Sequence, residues 1–216
     1  MKPPLPRGPY AIADTTMGDP VQTGTALFEA GFLVVQLRAK DWDHVQIFEA
    51  ARSLATVAAH HQGHLIINDH VEIAATVGAR GVHLGLGDGD PVAARKMMGP
   101  QSWIGCSIPS LKHLADMPHE LAGIDHIGVG PVYPTQTKRT GRPALGLHGL
   151  AAICAESPVP VVAIGGIKPA HAPALLAAGA LSWAFLSALT SPLAKAVSDG
   201  NVKTLRQWRE RQAFFM

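Results

Sequence analysis

Short runs of β-branched and aliphatic residues recur along this chain, and a segment with helical spacing follows most of them. Eight such runs predict eight strands, at 10–14, 32–38, 64–69, 81–85, 103–108, 126–131, 159–165 and 183–189. Residues 43–60 are typical of the intervening segments, because Val45, Phe48, Leu54 and Val57 can share one face of a helix. Strands that are apolar throughout and alternate with helices indicate a parallel sheet covered by helices.

Eight strand–helix units favour an α/β protein of one domain, folded as a closed (β/α)8 TIM barrel. The alternative is an open doubly wound sheet. A flavodoxin-like sheet has fewer strands, and no G-x-G-x-x-G opens the first helix, since residues 85–89 are only a glycine-rich loop. We expect the domain to span residues 1–216, with a proline-rich lead at 1–8 and a final helix at about 202–215.

Composition excludes several classes of protein. A formal charge of +2 on 216 residues, with dispersed Lys and Arg, argues against a nucleic-acid or membrane surface. Cys106 and Cys154 lie inside apolar runs, which argues against a disulfide framework and fits a reducing compartment. No stretch approaches the roughly 20 apolar residues of a membrane span. We therefore predict a cytoplasmic protein with small-molecule partners, either monomeric or a homo-oligomer.

Polar residues follow the apolar runs. In a parallel barrel the carboxyl ends of all strands meet at one rim, where such enzymes hold their active sites. The residues expected to converge there are Asp14, Arg38, Lys40, Asn68, Asp69, Asp88, Ser107, Thr135, Thr137, Lys138, Gly166 and Ser187. Taken singly, an aspartate at a strand end often caps the next helix. Two aspartates with three cations are, however, what a magnesium-bridged pyrophosphate needs.

Two histidines in the predicted strands have a simpler interpretation. His83 and His126 lie within apolar runs. We expect both to be residues of the barrel core layers.

Several motifs, in order and with their spacings, carry a resemblance to one enzyme family. They are Gln36-Leu37-Arg38-x-Lys40, Ile67-Asn68-Asp69, Gly81-Val82-His83-Leu84-Gly85-x-x-Asp88, Gly105-x-Ser107, Gly130-Pro131-x-x-Pro134-Thr135-x-Thr137-Lys138 and Ala163-Ile164-Gly165-Gly166-Ile167. From about residue 10 to residue 187 the chain resembles thiamine-phosphate synthase. The block that ends at Lys138 is the most discriminating of these motifs.

The resemblance implies that hydroxymethylpyrimidine diphosphate is joined to thiazole phosphate, giving thiamine phosphate and pyrophosphate. It implies Mg²⁺ at Asp69 and Asp88, and Arg38, Lys40, Lys138 and Ser107 as the catalytic residues. Those four side chains also bind substrate, and the further substrate-binding residues implied are Gln36, Asn68, Thr135, Thr137, Gly166, Leu186 and Ser187. Asn68, Gln36 and Ser107 would serve the pyrimidine diphosphate, and the threonines, Gly166, Leu186 and Ser187 the thiazole phosphate.

Three alternatives stay open at this point. A thiazole tautomerase-like relative would share the barrel and the thiazole phosphate, but would not need Asp69, Asp88 and Lys138. Another phosphate-binding barrel enzyme would share only the glycine segment near Gly166 and leave the aspartates unexplained. A non-catalytic protein that binds thiamine precursors would show no turnover.

Overall fold

Parallel strands form a closed barrel in the computed structural model of this chain, in the order of the sequence. The structure describes residues 2–117, 123–135, 143–186 and 201–213. The strands are β1 (Gly8–Asp14), β2 (Val34–Arg38), β3 (His64–Asn68), β4 (Gly81–Leu84), β5 (Trp103–Ser107), β6 (His126–Val129), β7 (Val161–Ala163) and β8 (Ser182–Phe185). Pairing of β1 with β8 closes the ring. The predicted (β/α)8 TIM barrel is therefore confirmed.

Helices cover the outside of this barrel. They are α1 (Pro20–Glu29), α2 (His44–His60), α3 (Val71–Thr76), α4 (Pro91–Met98), α5 (Leu111–Ala115), α6 (Gly146–Glu156), α7 (Ala172–Ala177) and a last described helix, α8 (Val202–Ala213). Asp43 starts α2 with a capping box in which Gln46 is the reciprocal partner. Asp90 starts α4 by accepting backbone N–H groups at its first turn. No helix in the described part of the chain has the length and apolarity needed to cross a membrane.

The core has an outer layer between helices and strands and a separate layer inside the barrel. The interior layer includes Tyr10, Ile66 and Trp103, and Leu5 of the amino-terminal lead joins it. The indole Nε1–H of Trp103 donates to the Pro3 carbonyl at 2.9 Å, so the lead lies across the barrel end where the strands begin.

Helix α8 packs against the outside of the barrel. Leu205 is fully buried. The Trp208 ring lies 4.7 Å from Phe185 and 5.8 Å from Phe32, measured between ring centroids. The segment predicted as a final helix thus completes the outer layer against β1, β8 and α1. Residues 214–216 lie outside the described part.

Strands β6 and β7 each end two residues before the apolar run that predicts them. The runs 126–131 and 159–165 give strands of only four and three residues. Beyond them the chain leaves the ladder because Pro131 has no N–H and because Gly165 and Gly166 have positive φ. These irregular ends line the barrel mouth, where they form part of the site described next.

Candidate active site

A pocket of about 520 Å³ opens at the carboxyl ends of the strands. The predicted residues that line it are Gln36, Arg38, Lys40, Asn68, Asp88, Ser107, Thr135, Gly166 and Leu186. Aliphatic side chains such as Ile12, Ile108 and Ile164 form much of the remaining wall. Thr137, Lys138 and Ser187 lie outside the described residues. Seven of these nine residues come from the strand-end pattern, and Gln36 and Leu186 come from the family resemblance.

Two aspartates and a lysine form a cluster at one side of the pocket. The Lys40 ammonium lies 2.9 Å from Asp69 Oδ2 and 3.5 Å from Asp88 Oδ2. The hydrogen bond to Asp69 raises the pKa of Lys40 above its usual value, although partial burial opposes this. One cation thus bridges the two carboxylates, which shows that both oxygens can face the same positive charge.

The backbone at Asp69 is held in an unusual conformation. Its φ of 65° is rare for a residue other than glycine, and such conformations persist where the surroundings fix them. The Asn68 amide donates to Asp69 Oδ2 at 2.6 Å, and the Asp69 backbone N–H donates to the His83 carbonyl at 2.9 Å. Asp69 caps no helix, since α3 begins after His70, which makes no capping bond with its side chain.

Gly85 gives Asp88 room to reach this cluster. A Cβ added at Gly85 would collide with the Asp88 carboxylate and lie 3.9 Å from Asp69 Oδ1. Asp90, and not Asp88, caps the next helix. The side chain of Asp88 is therefore available to the pocket.

The donor set at this cluster fits Mg²⁺. Magnesium is usually bound by one or two carboxylates together with substrate phosphates, and it keeps several waters. Asp88 lines the pocket, and Asp69, which is not itself a lining residue, lies beside it and shares the Lys40 ammonium with it. Within the described ranges no group of three or more His, Cys, Asp or Glu side chains could hold a metal by themselves. The pair thus suits a metal that takes its remaining ligands from a phosphate and from water.

Arg38 reaches the pocket from a buried ion pair. Its guanidinium bonds the carboxylate of Asp14, which is fully buried and directly opposite in the β1–β2 register. The same carboxylate accepts the Thr16 backbone N–H at 2.9 Å. Asp14 was expected at the rim but is not among the residues that line the pocket, because it serves the turn after β1 and anchors Arg38 from below.

Polar side chains of Tyr10, Gln36, His83 and Ser107 form the pocket floor. The Gln36 amide donates to the Tyr10 hydroxyl at 2.8 Å, and burial raises the pKa of that hydroxyl. His83 Nε2 lies 3.0 Å from Ser107 Oγ. Behind it His126 is fully buried, and burial lowers its pKa to about 3, so its ring is neutral at physiological pH. The Gln36 amide and the Tyr10 hydroxyl would meet a substrate ring with hydrogen bonds and no added charge.

The opposite side of the pocket is a backbone turn. Gly165 and Gly166 have φ of 94° and 64°, in the region that favours glycine. A Cβ on Gly166 would lie 2.5 Å from the Pro134 carbonyl oxygen and 2.7 Å from that of Tyr133. Thr135 and Leu186 line the pocket with this turn. In barrels of this fold the loops after strands seven and eight frequently bind phosphate.

Comparison with known proteins agrees with this geometry. A family profile described as thiamine monophosphate synthase matches residues 9–189. The chain belongs to the thiamine-phosphate synthase family. It is 42% identical over 164 residues to the thiamine-phosphate synthase of Laribacter hongkongensis, covering 76% of each chain. It is 34% identical over 188 residues to that of Chlorobium phaeobacteroides, covering 86% of this chain and 90% of the relative.

A solved structure shares the fold over nearly the whole chain. Thiamine phosphate pyrophosphorylase from Pyrococcus furiosus superposes with a TM-score of 0.76 and 28% identity, covering 92% of this chain and 96% of that one. The family predicted from the motifs and the barrel predicted from the strand–helix pattern are thus both confirmed.

Sequence reasoning missed two features of this thiamine-phosphate synthase-like pocket. His83 was interpreted as a core residue, yet it lines the pocket and contacts Ser107. Its sequence position gave a usable signal, because His83 lies two residues before the end of the predicted strand 81–85 and therefore close to the rim. Tyr10 also lines the pocket. The sequence did not indicate this, because an aromatic residue in an apolar run is equally typical of a buried strand.

Proposed function

We propose that this protein joins hydroxymethylpyrimidine diphosphate to thiazole phosphate, forming thiamine phosphate and pyrophosphate. The observation that carries the proposal is one pocket lined by both a carboxylate–lysine cluster and a glycine turn. The first suits a metal-bound diphosphate and the second a phosphate monoester. Family membership supports the same reaction.

The reaction separates charge, and the pocket residues match that separation. The C–O bond between the pyrimidine methylene and the diphosphate breaks, and its electron pair leaves with pyrophosphate. The thiazole nitrogen donates its lone pair to the methylene carbon and forms the new C–N bond. That nitrogen carries no proton, so no general base is needed.

Cations at the diphosphate end stabilise the leaving group. Arg38 and Lys40 point fixed positive charge at the pocket, where negative charge grows on the departing oxygens. Lys138, from the family motif, would add a third. Mg²⁺ held by Asp69 and Asp88 would neutralise further charge on those oxygens. Ser107 would donate a hydrogen bond to the same group.

The pyrimidine would lie over the neutral floor. Gln36 and Asn68 offer amide groups to it, and His126 stays uncharged behind them. A cation at this position would oppose the positive charge that develops on the methylene carbon. The neutral floor therefore favours the same transition state as the charged rim.

The thiazole phosphate would lie at the glycine turn. Thr135 and the backbone of Gly166 line that end of the pocket, with Leu186 beside them. Thr137 and Ser187, which the family motifs add, would supply hydroxyl groups. The whole of residues 1–216 would form the one catalytic domain, while the cytoplasmic location and any homo-oligomer stay predictions.

Omission of single components tests the proposal against its alternatives. Purified protein with both substrates and Mg²⁺ should yield thiamine phosphate, detected by mass, and omission of either substrate should abolish it. Isomerisation of a thiazole phosphate alone would favour a tautomerase-like enzyme. Binding of both ligands without any turnover would favour a binding protein.

A further inference from the structure

Two loops at the phosphate end of the pocket lie directly against each other. The Val132 N–H donates to the Ile164 carbonyl at 2.9 Å, and the Tyr133 N–H donates to the Gly165 carbonyl at 3.0 Å. These bonds join the loop after β6 to the loop after β7. Thr135 lies on the first loop and Gly166 on the second, so their separation depends on how firmly the loops are joined.

His171 fastens this junction from outside the pocket. Its ring stacks on Tyr133 with 3.9 Å between centroids and 29° between planes. Its Nδ1 accepts the backbone N–H of Lys168 at 3.1 Å. Neither His171 nor Tyr133 is among the described residues that line the pocket. His171 therefore belongs to the segment after β7, where its bond from Lys168 is local, and its stack on Tyr133 is the contact with the loop after β6, so it would act on a ligand only through these loops.

The chemistry of the ring fits this placement. A ring nitrogen that accepts an N–H must be unprotonated, and both partial burial and the Lys168 charge lower the pKa of His171. The unprotonated ring accepts from Lys168 while its face lies on Tyr133. Alanine at position 171 would lose both contacts. Phenylalanine would keep only the stack on Tyr133, and asparagine would keep only an acceptor for the Lys168 N–H.

We propose that His171 is a positioning residue that holds the Thr135 loop and the Gly166 turn together around the phosphate of the thiazole substrate. This inference rests on the proposed function for the identity of that substrate. It assigns to His171 a role in affinity for one substrate and not the other, because the diphosphate cluster lies on the loops after β2, β3 and β4.

Three substitutions separate the two contacts. His171→Phe keeps an aromatic face and loses the acceptor, His171→Asn keeps an acceptor and loses the ring, and His171→Ala loses both. We expect His171→Ala to raise the KM for thiazole phosphate by roughly tenfold, the scale of one aromatic stack together with one hydrogen bond. The other two should give smaller increases. His60→Ala, at the end of α2 away from the pocket, is the control and should change nothing.

The KM for pyrimidine diphosphate distinguishes positioning from general damage. In His171→Ala it should stay within about twofold of the unsubstituted protein. The inference is overturned if the KM for thiazole phosphate is unchanged in His171→Ala, or if the KM values for both substrates rise equally. His171→Asn and His171→Phe keep the test decisive if the alanine variant does not fold.

A binding measurement separates this inference from the proposed function. Calorimetry with inorganic phosphate and with thiazole phosphate needs no turnover. Weaker binding of both ligands to His171→Asn and His171→Ala would support the positioning role even for a protein that makes no thiamine phosphate. Equal binding by all variants would overturn it while leaving the proposed function intact.

Discussion

Substitution of Gly166 by alanine tests the phosphate end of the pocket. Gly166 has φ of 64°, where an L-residue loses roughly 1–2 kcal/mol relative to glycine. Its new Cβ would also lie 2.5 Å from the Pro134 carbonyl oxygen, whereas ordinary contact begins at 3.4 Å. The two loops must then separate by up to about 0.9 Å, a displacement that can cost roughly 10²-fold in rate at a catalytic site.

Gly78 is the matched control for this change. It has φ of 68°, and no described atom lies within 4 Å of an added Cβ. It follows α3, at the barrel end away from the pocket. Gly78→Ala therefore carries the same backbone cost without the crowding. Both variants should lose about 1–2 kcal/mol of unfolding free energy from the backbone alone, with a further loss for Gly166→Ala from crowding.

Steady-state kinetics with saturating pyrimidine diphosphate provides the assay. Gly166→Ala should lower kcat/KM for thiazole phosphate by about 10²-fold, and Gly78→Ala should stay within about twofold. Urea unfolding of both variants supplies the stability comparison. Unchanged kcat/KM in Gly166→Ala, or an equal fall in Gly78→Ala, would refute the assignment of this turn to the substrate phosphate.

Three further predictions address charge. Asp69→Ala and Asp88→Ala should each lower activity by at least ~10²-fold, because each removes a carboxylate from the metal pair, and full activity of either variant in EDTA would contradict the metal assignment. Lys138→Gln should slow product formation strongly because it removes a positive charge, and Lys138→Arg should restore part of the rate because it returns that charge. If both variants bind substrate normally and are equally inactive, Lys138 would instead transfer a proton. His126 has a pKa lowered to about 3, so below its ordinary pKa of 6.5 the unfolded chain binds a proton that the native chain does not. Between pH 6.5 and pH 3, the unfolding free energy of the unsubstituted protein should therefore fall as the pH is lowered, by about 1.4 kcal/mol per pH unit more than that of His126→Gln. Urea unfolding at several pH values measures both slopes, and identical slopes would contradict the effect of burial on His126.

Most of the barrel and much of its site could be predicted from the sequence. Apolar runs mark the strands because a parallel strand is buried on both faces. The position of Lys40, Asn68 and Asp88 at or just beyond the ends of such runs was enough to place them at one rim, since all strands point the same way. These residues follow from local pattern and one topological rule.

Contacts that depend on register or on loop packing could not be predicted in this way. Asp14 is buried against Arg38 because the two residues are opposite each other in the pairing of β1 with β2. Its position at the end of an apolar run is equally compatible with an exposed residue at the rim. The positive φ of Asp69 depends on bonds from Asn68 and to β4. The stack of His171 on Tyr133 joins loops that are far apart in sequence.

Product stoichiometry tests the central claim most directly. The protein would be incubated with pyrimidine diphosphate, thiazole phosphate and Mg²⁺, and thiamine phosphate and pyrophosphate would be quantified over time. Equal amounts of the two products, with neither formed when thiazole phosphate is omitted, are the predicted result. Release of pyrophosphate without thiamine phosphate, or no turnover by folded protein, would contradict the proposed condensation.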